Sequence, residues 1–394
     1  MAHILIGWEL GAYGGHLARI GRIGAALAAA GHRITLALQR IDGPGVRDEP
    51  WVSRIWQAPL WPSLLARVGP AVAGPSATMG DILASAGLAR PGTFARLLAA
   101  WEPILAAEAP DVVIADYAPA LLCAARGRCR TVAVSDAFDL PPTHVRRLPS
   151  LTGRKPLTDE GQMLREVNAG LAASGRPPLA TLAQLFESDL PLPCTFPALD
   201  PYGAWRQGMV YRPFVNPGTL GRAADPAVAR EVFVYWPGTG DGTLELWQAL
   251  ARLPHPVRVH APQLTAGDHR WLEARGLAIE PEPVPFSLIV ERSRLLVSHG
   301  GIGFVSTGAL AGVPQLVIPL DLQKQLIGEA LVRAGAGRVI PSDAEEEAIF
   351  GAIAALAEDG ETAARARDLA DALRTDPGEP PEEAVVAAVA TWTG

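Results

Sequence analysis

A chain of 394 residues, 49% hydrophobic and 19% charged, is longer than one hydrophobic core serves; it predicts two globular domains and excludes a disordered chain. The formal net charge of −7, with no Lys/Arg-rich block, excludes a nucleic-acid backbone as partner. Cys123, Cys129 and Cys194 show no C-x-x-C spacing, which argues against a zinc site or a disulfide framework and fits a reducing cytosol. The first residues enter a strand directly, and no apolar run approaches the roughly 20 residues of a spanning helix. A soluble, cytoplasmic protein with no transmembrane segment is the expectation; its oligomeric state is not legible.

Residues 3–7 (HILIG) predict a strand, WELGAYGGH a glycine-rich turn, LARIGRIGAALAAAG a helix ending at Gly31, and 33–38 (RITLAL) the next strand. Such a βαβ unit implies a parallel sheet. The pattern returns in DVVIAD (111–116), PALLCAARG and TVAVSD (131–136), whereas 140–200, rich in Pro, predicts loops and short helices covering a pocket. A second series runs through EVFVYW (231–236), TLELWQALARL, VRVHA (257–261), a helix near 267–275, LAIE (277–280), RLLVSH (294–299) and QLVIP (315–319). The fold class is therefore α/β, with two Rossmann-like, doubly wound domains. We place the first at 1–215 and the second at 216–380, divided in the Pro/Gly-rich stretch 213–226, and expect a last helix from about 381 that packs back on the first.

The strongest local signal is VSHGGIGFVSTGALAGVP (297–314). A strand ends at Ser298, Gly300, Gly301 and Gly303 let backbone approach a ligand, and a helix begins with exposed amides, an arrangement suited to phosphate. His299 can add a hydrogen bond to a diphosphate oxygen; a capped tight turn is the bland alternative. His16, at the end of GAYGGH (11–16), is an imidazole suited to general-base work, and Asp116 at the end of DVVIAD can hold its other nitrogen. Both could instead cap helices. Glu9, in WEL, is a second carboxylate able to reach the same space, as partner of His16 or as an acceptor contact. Trp51, Trp56 and Trp61 suit sugar or a flat acceptor, but core or lid packing is the commoner use of such residues. The acidic run 343–348 reads as a solvated helix start, and His32 is assigned no chemistry.

The segment HGGIGFVSTGALAGVP (299–314) resembles the donor-binding signature of the UDP-glycosyltransferase superfamily, HGGxGTxxEAL followed by GVP, and GGHLARIGRIGAALAAAGHRITLA is similar to the opening of the same family. The resemblance implies the GT-B fold, two Rossmann-like domains facing a cleft, with inverting chemistry, a nucleoside diphosphate sugar of UDP or dTDP type as co-substrate, a small-molecule acceptor, and no cofactor or metal. It places a His–Asp dyad at His16 and Asp116. It puts Gly238, Thr239 and Gly240 beside the donor phosphates, Val284, Pro285 and Phe286 against the base, and Gln325 on the donor sugar, with Gln323 as the competing register. Phe304 stands where the family has Thr or Ser, Thr307 where a Glu holds the ribose, and Lys324-Gln325 where the family has Asp-Gln. Two other functions remain open, a non-catalytic binding relative and a nucleotide-sugar 2-epimerase.

Overall fold

A computed structural model of the chain describes residues 1–11, 14–41, 48–65, 74–215, 220–224, 228–237 and 243–394. The chain forms two compact units. The first comprises Met1–Cys194, Tyr202–Phe214 and Glu379–Gly394; the second comprises Thr195–Pro201 and Val215–Gly378. The polypeptide thus passes between units more often than one division at 215–216 implies.

The first unit carries, in chain order, β1 (His3–Trp8), α1 (Gly15–Ala29), β2 (Arg33–Leu38), β3 (Val52–Gln57), α2 (Met79–Leu83), α3 (Thr93–Glu108), β4 (Val112–Asp116), α4 (Pro119–Ala125), β5 (Arg130–Asp136), α5 (Glu160–Ala173) and β6 (Leu190–Cys194). The six strands form one parallel sheet in the order β3-β2-β1-β4-β5-β6. Apolar runs occupy its centre because a parallel sheet is covered on both faces; every residue of β4 is buried. Ile20, Ile23 and Leu27 bury one face of α1. A Cβ added at Gly24 would lie 2.3 Å from the Trp51 ring. After α1, Gly31 takes a left-handed φ of 85°, the expected helix-ending glycine.

The second unit carries β7 (Glu231–Tyr235), α6 (Thr243–Ala251), β8 (Val257–His260), α7 (Ala266–Glu273), β9 (Ala278–Ile279), α8 (Phe286–Arg292), β10 (Ser293–Ser298), α9 (Ile302–Ala311), β11 (Gln315–Val317), α10 (Leu322–Arg333), β12 (Gly337–Val339), α11 (Glu346–Ala357) and α12 (Gly360–Thr375). Its parallel sheet runs β12-β11-β10-β7-β8-β9. The last helix, α13 (Pro381–Thr393), sends Ala384, Val385 and Val389 into the core of the first unit, with Ile4, Ile6, Ile20 and Leu27. The α/β architecture of two doubly wound parallel sheets agrees with the sequence. One expectation fails: 140–200 holds a 14-residue helix, α5, and a strand, β6, not only loops and short helices. No helix among the described residues is long and apolar enough to cross a membrane.

Candidate active site

Numbered from their first strands, both sheets have the order 3-2-1-4-5-6. In such sheets the connections diverge between strands 1 and 4, and the crevice at their carboxyl ends is where ligands bind. The register pairs Trp8 with Asp116 at this point in the first unit and Tyr235 with Ser298 in the second. Both groups of sequence-nominated residues therefore sit at the switch point of their own sheet.

In the first unit, α1 starts just above that edge and brings His16 Nδ1 to 3.1 Å from Asp116 Oδ1. Asp116 is fully buried and His16 nearly so. Two further donors hold the carboxylate: Ser135 Oγ on Oδ1 at 3.2 Å and Arg19 Nε on Oδ2 at 3.2 Å. Burial pushes the Asp116 carboxyl up, but Arg19 and His16 more than offset it and hold it below its ordinary value. An ionised carboxylate only accepts, so Nδ1 carries a proton, and in the neutral form of the ring the lone pair is on Nε2. The imidazole stacks on Trp8, centroids 5.2 Å apart. Tyr117, which follows Asp116, is held at a φ of 45°, and its ring centroid lies 6.5 Å from that of His16. Such strain in a non-glycine residue clusters at functional sites.

Space at Nε2 depends on Gly11. Its φ is 88°, and a Cβ there would lie 2.1 Å from His16 Nε2. Gly11→Ala is expected to reduce turnover about 10²-fold, the cost of displacing a reacting group by roughly an ångström, while nucleotide affinity stays within a factor of about two. Turnover assays beside calorimetric titration with nucleotide would check the split.

Glu9 is employed differently from either sequence expectation. It is fully buried. Its Oε1 accepts from Leu121 N at 2.7 Å and Trp101 Nε1 at 2.7 Å; Oε2 accepts from Ala120 N at 3.1 Å and Trp61 Nε1 at 2.9 Å. The carboxylate thus caps α4 from a distant strand, occupying the amides a helix start leaves open. Trp61, like Trp101, is completely buried, Trp51 packs against the core of the first unit, and Trp56 donates to Glu108, so each tryptophan of the 51–61 cluster has a structural contact. Burial outweighs the four donors and pushes the Glu9 carboxyl up to about 7. A carboxyl with a folded value above its unfolded one binds its proton more tightly when folded. The stability it confers is full below 4.5 and declines as pH climbs toward 7. Glu9→Gln turns an NH2 onto two N–H donors and is expected to cost about 1–3 kcal/mol. Thermal melts of both proteins from pH 4.5 to 7 should show a steeper decline for the wild type.

In the second unit, β10 leads into His299, Gly300 at a φ of 92°, and Gly301 as N-cap of α9. His299 is buried, its ring edge-on to Tyr235 at 5.7 Å. Burial first, then the Lys324 charge, lowers it to about 4. The ring is therefore neutral at physiological pH and can offer one N–H to an anion. Gly303 lies in the exposed first turn of α9, and the Thr307 hydroxyl donates back to Gly303 O at 2.6 Å. Phe304 has a packing role: it stacks on Tyr235 at 5.3 Å and meets Phe286 edge-on at 5.2 Å. Val284 and Phe286 are half-buried beside this cluster, and Pro285 is exposed as N-cap of α8. Gln325 Nε2 donates to Glu329 at 2.8 Å along α10. Lys324 lies closer to the glycine turn, since a Cβ at Gly300 would sit 3.1 Å from both its Cβ and its carbonyl oxygen. Its Nζ is 3.2 Å from Asp321 and also bonds Gln323. Gly238, Thr239 and Gly240 lie outside the described residues. The sequence reading missed Arg19, Ser135, Tyr235 and Lys324; for Lys324 the signal available was its place between the two candidate glutamines. Among the described residues, no three His, Cys, Asp or Glu side chains cluster as metal ligands.

Comparison with known proteins agrees with the fold. Residues 278–390 match the family model "Erythromycin biosynthesis protein CIII-like, C-terminal domain". Glycosyltransferase GtfC of Amycolatopsis orientalis is 25% identical over 257 residues, covering 60% of this chain and 61% of that protein. The chain spans less than two thirds of the length of the curated relatives it matches. Among solved structures, the calicheamicin glycosyltransferase CalG4 superposes with a TM-score of 0.69 at 20% identity, covering 99% of this chain and 98% of that one. The spinosyn rhamnosyltransferase SpnG complexed with thymidine diphosphate gives 0.63 at 19% identity over 98% and 100%.

Proposed function

From the premise that this chain is a UDP-glycosyltransferase-like protein of the GT-B fold, we propose that it moves a sugar from a nucleoside diphosphate onto a hydroxyl of a small natural-product-type acceptor. The observation that carries the reading is the buried His16–Asp116 pair at the switch point of the first sheet, in which the carboxylate engages Nδ1 and so assigns the neutral ring's lone pair to Nε2. His16 Nε2 takes the acceptor proton as the acceptor oxygen attacks the anomeric carbon. The bond from that carbon to the diphosphate breaks in the same step, so the configuration inverts. The leaving diphosphate is stabilised by the first-turn amides of α9 and the neutral His299, donors fixed in place before the charge develops. The matched C-terminal family model and the glycosyltransferase neighbours, one complexed with thymidine diphosphate, support the donor class. Val284, Phe286 and the aromatic cluster around Phe304 are the surface for the base.

A thermal-shift panel of nucleoside diphosphates tests the donor half. A cognate nucleotide at 100 times its dissociation constant should stabilise the protein by about 2.7 kcal/mol. Product analysis with the matching nucleotide sugars then tests transfer. If no nucleoside diphosphate raises the melting temperature, the chain is instead a binding relative without donor chemistry, the reading that Phe304 and Thr307 would favour. Conversion of a donor sugar with no acceptor present would point to epimerisation.

A further inference from the structure

Helix α1 delivers two side chains to Asp116, three residues apart and therefore on one face. His16 takes Oδ1 and Arg19 takes Oδ2, so the two oxygens are divided between an imidazole and a guanidinium. Arg19 is almost completely buried. Its guanidinium carbon lies 5.8 Å from the centroid of Phe214, whose ring Arg22 also approaches at 5.4 Å, and Arg22 in turn pairs with Glu382 of α13. The Arg19 side chain is thus packed against Phe214 as well as paired with the carboxylate. Asp136 and Asp139, at the end of β5 and in the turn after it, also act on its charge.

We infer that Arg19 is a positioning residue for the His16–Asp116 pair, fixing the carboxylate so that His16 Nδ1 keeps its proton and Nε2 remains the lone pair. This rests on the reading of His16 as the base. A buried carboxylate with one oxygen unpaired bears a large desolvation cost, which it relieves by binding a proton. Without Arg19 the buried acids Asp116, Asp136 and Asp139 lose a cation they face, and a protonated Asp116 becomes a donor. Its O–H would then give a hydrogen bond to Nδ1, and the imidazole proton would move to Nε2. A ring in that tautomer cannot accept a proton from an acceptor hydroxyl. Arg19 therefore acts through the identity of the protonated nitrogen, and the guanidinium does not itself touch substrate.

The test uses the full chain labelled with ¹⁵N-histidine, with the His16 signals assigned by their loss in His16→Gln. The wild type should show the Nδ1–H tautomer, and Arg19→Met the Nε2–H tautomer. In the same variant kcat should fall about 10²-fold, read as release of nucleoside diphosphate from the donor found in the thermal panel. KM for the donor should change by less than about twofold, and added methylguanidinium should restore part of the lost rate. A folded Arg19→Met protein with the wild-type tautomer and rate overturns the proposal, as does a rate loss with neither tautomer change nor rescue. If Arg19→Met does not fold, Arg19→Lys decides, since it keeps the charge and loses the directed Nε–H: kcat should fall about tenfold, and an unchanged kcat is fatal. A wild type without turnover would defeat the catalytic reading of His16 while leaving the tautomer measurement intact to judge Arg19.

Discussion

His16→Ala is expected to lower turnover by about 10²–10⁴-fold, the range for loss of a positioned general base, while nucleoside diphosphate affinity stays within about twofold. The division follows from where the residues sit: His16 belongs to the first compact unit, whereas residues 298–325 belong wholly to the second. The fold should survive the change. With the imidazole gone, Asp116 keeps the Arg19 cation on Oδ2, and Oδ1 keeps the Ser135 hydroxyl, whose one proton Asp139 Oδ2 also faces, so the buried charge is not left without a counter-ion. Steady-state kinetics and calorimetric titration on one preparation, with near-ultraviolet circular dichroism as the packing control, measure all three statements. Turnover within tenfold of wild type at every pH would mean that the base lies elsewhere.

The second large effect is expected at Gly300. At a φ of 92°, any L side chain is strained, and the added Cβ would lie 2.8 Å from Val317 Cγ1 and 3.1 Å from the Lys324 carbonyl oxygen. Backbone and a β-branched neighbour cannot swing aside as a long side chain would. Gly300→Ala should therefore cost about 2–4 kcal/mol, combining a left-handed alanine with an overpacked contact. Relief would come by moving the 299–302 turn, so nucleotide affinity should drop more than about tenfold even below the melting temperature. Gly303→Ala is the stability control: nothing lies within 4 Å of its added Cβ, and alanine is the better helix former, so its melting temperature should equal or exceed that of the wild type. Equal melting temperatures for wild type and Gly300→Ala would show that the turn is not constrained as described.

The strands missed in the sequence share one physical feature, although one strand of the same kind, the edge strand β9, was read as LAIE. β1, β4 and β5 lie inside the first sheet and β7 and β10 inside the second; covered on both faces, they appear as continuous apolar runs. β3, β6 and β12 went unread, and each is an edge strand. VSRIWQ of β3 is mostly exposed or half-buried, and LPLPC of β6 carries two prolines, which an edge tolerates because one side needs no ladder. At the candidate site, His16 and Asp116 were legible because each ends a recognisable loop or strand. Arg19 was not, since an arginine on an amphipathic helix reads as a solvent-facing residue, and its partner lies 97 positions away. Glu9 was noticed for its odd place after a strand, but its destination depended on two tryptophans 52 and 92 positions along the chain. Lys324 was passed over in favour of Gln325, whose side chain turns along its own helix.

The winding of the chain through its two units has a consequence for biosynthesis. Val385 and Val389 are completely buried among residues from the opening βαβ segment, yet everything from Val215 to Gly378 is translated before them. The half begun first is finished last. While the ribosome is still building the other half, Ile20, Ile23 and Leu27 wait without their apolar cover, and aggregation or chaperone capture competes with closure. Release of a nascent chain halted near residue 378 should yield a folded second half attached to an open first one.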